Sequence, residues 1–200
     1  MSMLEFVRSQ LFSIGGPILV ALLLSSIVGL STFIVKAVQF ARLGVGRHRP
    51  AREAMAAWRN GDAGTALALV QRDSAALSQV TAAGLRQMSS PGGLISLATT
   101  LLAEMSRHLR IIEAVVQAAP MLGLLGTVLG MMEAFNRLSQ SGGAADPAVL
   151  ASGIWTALST TALGLSVAIP FYFLSTWLES RVENERMAME AVLASFSDER

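Results

Sequence analysis

Three stretches without a single charged side chain govern what this chain can become. They lie between Arg8 and Lys36, between Glu113 and Glu133, and between Asp146 and Glu179. A helix needs about 20 apolar residues to cross the roughly 30 Å of bilayer hydrocarbon, so each stretch predicts a transmembrane helix. Their apolar cores run from Ile14 to Val35, Ala114 to Met132 and Leu150 to Leu178. The third is longer than one crossing needs, which points to tilt or to continuation into water, with Pro170 as a place to kink. Composition agrees: 52% of the 200 residues are hydrophobic, 14% are charged, and the mean hydropathy is +0.54. That is too apolar for an ordinary soluble domain.

Lys and Arg set the expected orientation. Lys36, Arg42, Arg47, Arg49, Arg52, Arg59, Arg72, Arg86, Arg107 and Arg110 all lie between the first and second spans, whereas Arg137 alone lies between the second and third. The positive-inside bias therefore predicts a cytoplasmic connection, with the N-terminus outside and the C-terminus inside. The expected organisation is an N-terminus and first span over 1–40, a cytoplasmic helical region over 41–112 and a second span over 113–135. An extracytoplasmic loop over 136–149, a third span over 150–178 and a cytoplasmic tail over 179–200 complete it. The uncharged run of the first span exceeds the about 7–15 apolar residues of a secretory signal, so it is expected to stay attached as an anchor.

The connection reads as helices. "PAREAMAAWRNGDAGTALALVQ" has helical spacing broken at "NGDAG", a turn signal, and "SSPGG" at Ser89–Gly93 is a second break. From Leu94 the absence of Gly and Pro predicts one helix running into the second span. The tail "ESRVENERMAMEAVLASF" carries Glu183 and Arg186 three apart and an apolar stripe of Val182, Met189 and Val192. Two rods, packed together below the membrane, are the expectation: an all-α integral membrane protein with two of three spans extending into a cytoplasmic bundle.

Inside the spans, small residues and hydroxyls stand out. "AAPMLGLLGTVLGMMEAF" carries Gly123, Gly126, Gly130 and the lone Thr127, and Gly126 with Gly130 forms a GxxxG pair. In lipid, close backbone approach drives helix association, and small residues permit it. The third span offers a matching stripe of Gly153, Ala157, Thr160, Thr161, Gly164 and Ala168. For each glycine the simplest reading is helix packing, and for Thr127 a bond back to its own helix.

These two stretches together, "APMLGLLGTVLGMMEAF" and "GIWTALSTTALGLSVAIPFYF", resemble the paired signature of the MotA/TolQ/ExbB proton-channel family, closest to the ExbB and TolQ branch. The likeness is strong from Arg107 to Leu178, and elsewhere it lies in layout. It implies a homo-oligomer, typically a pentamer, around a dimeric single-span ExbD- or TolR-like partner that carries an aspartate. A TonB- or TolA-like force transmitter, a bacterial inner-membrane location and the use of proton flow for outer-membrane import or envelope maintenance are further implications. By motif position, Thr127 and Thr161 match the hydroxyls that face the central partner, and the neighbouring Thr156 and Thr160 join that set. Threonine can donate to a carboxylate or accept from a carboxylic acid, so it suits both states without titrating. Pro120 and Pro170 occupy the "AP" and "AIP" positions, where helix breaks are expected. Many members carry a glutamate five residues before the matching threonine; here Thr156 stands there, so the titrating group is expected on the partner. A flagellar-type stator fits less well, since such members have four spans. A non-conducting oligomeric scaffold is the alternative from another class.

The remaining polar groups carry modest expectations. Glu113 and Glu133 bracket the second span as interfacial carboxylates or a proton relay, and Glu133 is spaced to pair with Arg137. His108 is expected at the interface or as a pH sensor. Arg47, Arg49 and Arg52 are topology anchors or contacts to anionic headgroups. Trp155 and Trp177 flank the third span as an aromatic belt does. No Walker loop, HExxH or nucleophile elbow occurs, Gly44-Val45-Gly46 lacks the rest of a dinucleotide fingerprint, and there is no cysteine. No enzyme activity, cofactor or metal is expected, and a net charge of +1 gives no footprint for nucleic acid.

Overall fold

A computed structural model describes residues 16–86, 91–140 and 147–197, and every regular element among them is a helix. In chain order these are α1 (Gly16–Arg42), α2 (Arg49–Arg59), α3 (Ala63–Gln71), α4 (Ala76–Leu85), α5 (Pro91–Ser106), α6 (Leu109–Gln140) and α7 (Pro147–Ser197). Three helical stretches are long and apolar enough to cross a membrane, and they contain α1, α6 and α7. Among the described residues the protein is thus all-α, with three candidate membrane-spanning helices. It divides into two units, one of Met1–Phe33 with Arg110–Ser175, the other of Ile34–Leu109 with Thr176–Arg200.

The first unit holds the apolar spans. Its core is formed by Ile18 and Leu22 from α1, Ala119 from α6 and Ala168 from α7, flanked by Leu122, Leu129, Leu163 and Val167. Alanine at two of these contacts lets helix axes approach, the condition for van der Waals packing in lipid. Gly29 serves the same end, since a Cβ there would lie 2.8 Å from Cε1 of Phe171. Large apolar side chains cover the outside, among them Leu24 (59% exposed), Met121 (70%) and Phe173 (67%). A monomeric soluble protein does not leave so much contiguous apolar surface to water, whereas lipid or a neighbouring subunit accepts it.

The second unit is built differently. Here α2, α3 and α4 pack through Ala54, Ala66, Val70 and Ala82, with Trp58, Leu69 and Leu85 beside them. The "NGDAG" turn separates α2 from α3 as expected: Gly61 has φ +84° and the Asp62 carboxylate caps α3, accepting from the Thr65 amide at 2.9 Å. Hydrogen bonds from Thr65 hold the Asp62 carboxyl below its ordinary value. From the tail, Met189 and Val192 are buried as the stripe predicts, and the Phe196 ring stacks 4.7 Å from Trp58 directly over Gly84. The pair Glu183–Arg186 forms at 3.8 Å.

Several expectations are corrected. The helix from Leu94 is not continuous with the second span: α5 ends at Ser106 and α6 starts at Leu109, with His108 at φ +68°. A non-glycine residue in the left-handed region costs on the order of 1 kcal/mol, so something must stabilise the break. Lys36 does so. The residue is 1% exposed, and its ammonium donates to the carbonyls of Glu104 (3.2 Å) and Met105 (2.9 Å), the orphan acceptors at the end of α5, and to Gln39 Oε1 (2.8 Å). Pro120 and Pro170 do not break their helices either, because α6 and α7 run through them. Each proline removes only one amide donor, which a long helix anchored on both sides tolerates. The helices that run on from spans are therefore α1, to Arg42, and α7, to Ser197. Within the expected loop over 136–149, α6 reaches Gln140 and α7 starts at Pro147; residues 141–146 lie outside the described part, as do Ser89 and Ser90 of the second break.

Candidate functional site

Within the first unit, α6 and α7 meet along a seam of small residues. A Cβ at Gly123 would lie 3.0 Å from the Thr160 carbonyl oxygen and from Cα of Thr161, and one at Gly164 only 2.6 Å from the Ala119 carbonyl oxygen. At Gly126 it would collide with the Thr160 hydroxyl, and at Gly153 with Cβ of Ala134. At Gly130 it would meet Ala157 at 3.2 Å. All five expected packing glycines thus lie in the one contact between α6 and α7, and both partners of that contact belong to the same chain.

The four threonines divide. Thr160 is 4% exposed, donates to the Ala157 carbonyl at 2.7 Å and fills the space above Gly126. It is a seam residue, and the expectation that it faces a pore or partner is corrected. Thr161 is half-buried and donates across the seam to the Gly123 carbonyl at 3.0 Å. Thr127 is half-buried and donates to Leu124 in its own helix at 2.6 Å; Thr156 does the same to Ser152 at 3.0 Å. Each of these three hydroxyls keeps acceptor lone pairs, and each can exchange its donor bond for one to a stronger acceptor.

Carboxylates stay away from the seam. None lies between Glu113 and Glu133 on α6 or before Glu179 on α7, and Glu133 is taken up by Arg137 at 2.6 Å. Among the described residues no cluster of three or more His, Cys, Asp or Glu is placed to hold a metal. The seam alone therefore offers close packing and neutral hydroxyls but no group that titrates near neutral pH.

Comparison with known proteins decides the family. The MotA/TolQ/ExbB proton channel family matches residues 75–191, more than half of the chain and the whole of the seam. The chain belongs to this family. A protein of Methanothermobacter thermautotrophicus named as an ExbB homologue is 41% identical over 91 residues, 46% of this chain and 32% of its own length. The biopolymer transport protein ExbB of Aquifex aeolicus is 38% identical over 89 residues, 44% and 60% respectively. That of Helicobacter pylori is 45% identical over 67 residues, 34% and 46%. The chain thus matches between a third and three fifths of the length of these relatives. Their names put it in the ExbB and TolQ branch, and membership in a channel family bears out the reading against an enzyme.

Sequence reasoning missed three residues. Lys36 read only as a topology charge, Gly29 only as a span residue, and Glu185 as one more tail acid. Glu185 is in fact 1% exposed, with Oε1 accepting from the Gly46 amide and 2.8 Å from His48 Nε2. A glutamate one turn from the apolar Met189 was the available signal.

Proposed function

We propose that this chain is an ExbB/TolQ-like subunit of a bacterial inner-membrane motor that couples the proton motive force to outer-membrane import or envelope maintenance. In this reading it forms a homo-oligomer, a pentamer, around the two spans of an ExbD/TolR-like partner dimer, and a TonB/TolA-like protein transmits the force. The N-terminus lies outside and the α7 tail in the cytoplasm, in keeping with the Lys and Arg distribution. One observation carries the proposal: the family's two motifs meet in a glycine seam that absorbs Thr160, while Thr127 and Thr161 retain hydroxyls and the spans hold no carboxylate. A hydroxyl accepts from a protonated aspartic acid and donates to the aspartate, so it can follow a partner's protonation cycle without titrating. A charge moved across 100 mV releases about 2.3 kcal/mol, enough to bias a helix rearrangement when coupling is tight.

The double variant Thr127→Val, Thr161→Val tests this. It removes both hydroxyls and keeps the shape, so the oligomer should persist by native mass while proton-driven activity falls about tenfold or more, the effect of losing hydrogen bonds to a charged group. Full activity in that variant removes the hydroxyls from the mechanism.

A further inference from the structure

In the second unit, arginines around α2 and along the tail of α7 fall into two groups. Arg47 pairs with Asp73 at 3.6 Å, Arg49 with Glu53 at 2.7 Å and Arg186 with Glu190 at 2.9 Å. Arg52 and Arg181 have no ion-pair partner among the described residues, and both line the same cavity of about 480 Å³, together with His48, Asn184 and the Gly46 backbone. No carboxylate lines that cavity. Glu185, next to Asn184, is buried behind the wall, where it holds the Gly46 amide and His48 Nε2 through Oε1. It fixes part of the lining and adds no negative surface to it.

Two arginines and an asparagine lining a space without acids match the oxygens of a phosphate, which arginine binds in bidentate fashion. Position along α7 suggests where the phosphate comes from. The apolar run ends at Trp177 and Leu178, and Arg181 follows one turn later, about 6 Å further along the helix axis. The Arg181 guanidinium also lies 5.3 Å from the Trp177 ring centre. Tryptophan rings at the end of a span sit at headgroup level, so the cavity lies at the depth of lipid phosphates. We propose that this cavity binds a phosphate ester, supplied by the headgroup of an anionic phospholipid. The inference rests on α7 as a span and not on proton coupling, so either can fail without the other.

The test uses the full-length protein in detergent. Native mass spectrometry counts lipid retained from added phosphatidylglycerol or phosphatidylcholine, and thermal unfolding is followed with and without inorganic phosphate. Phosphatidylglycerol should be retained in preference to phosphatidylcholine, and Arg52→Gln with Arg181→Gln should lower retention at least about tenfold. Arg186→Gln, which removes an already paired charge outside the cavity, should leave it unchanged. A phosphate-dependent rise in Tm that the double variant abolishes, without lipid retention, supports the phosphate site and assigns it a soluble source. Equal retention and equal phosphate response in wild type and double variant overturn the proposal, as does an equal loss with Arg186→Gln. Should the glutamine variant misfold, Arg52→Lys with Arg181→Lys keeps the charges and removes the forks; undiminished retention in that variant overturns the bidentate site.

Discussion

At Gly126 a hydrogen atom is the whole side chain because Thr160 takes the remaining space between α6 and α7. The seam is a set of such pairings, Gly123 with Thr161 and Gly164, Gly130 with Ala157, Gly153 with Ala134. In lipid there is no hydrophobic drive to bring helices together, so contact at van der Waals distance must do it. Gly126→Leu should therefore cost more than the about 1–3 kcal/mol of an overpacked methylene, because backbone as well as side chains must move apart. Reversible unfolding in mixed micelles reads this, and a variant as stable as wild type contradicts the seam. The same contacts divide the threonines: Thr160 is wedged over a glycine, Thr161 donates across the seam to the Gly123 carbonyl, and Thr127 and Thr156 donate within their own helices.

Among the elements, the break between α5 and α6 is the most informative. Neither glycine nor proline marks it, and His108 adopts φ +68° where local propensity favours a continuing helix. What makes it stable is Lys36 on α1, whose ammonium satisfies the last carbonyls of α5. Lys36→Met takes this donor from the buried Met105 carbonyl, while Glu104 keeps the Gln39 amide, a cost of about 1–3 kcal/mol. Amide exchange at the end of α5 should quicken in that variant with the seam unaffected; unchanged exchange there removes Lys36 as the cap. The example explains what was legible. Spans, the Gly61 turn and the glycine seam are written in local patterns, charge-free length, turn chemistry and small residues at helical spacing. The Lys36 cap, the Glu185–His48 contact and Gly29 beneath Phe171 depend on residues far apart in the chain, and no local period encodes them. Pro120 and Pro170 misled for a related reason: local propensity ends a helix at proline, but long, anchored membrane helices run through it.

For the whole molecule, the distribution of acid is the governing fact. The described spans expose large apolar side chains, hold hydroxyls at Thr127, Thr156 and Thr161, and carry no carboxylate between Glu113 and Glu133 or from Pro147 to Leu178. A proton-coupled device needs a group that titrates, so in the proposed assembly the partner supplies it and this chain supplies the neutral, closely packed wall. Proton flux into liposomes measures that division of labour most directly. The chain reconstituted with a single-span, aspartate-bearing partner should conduct protons, and it should lose that conduction when the partner's aspartate is changed to asparagine. Equal flux from this chain alone would place the titrating group here and contradict the account.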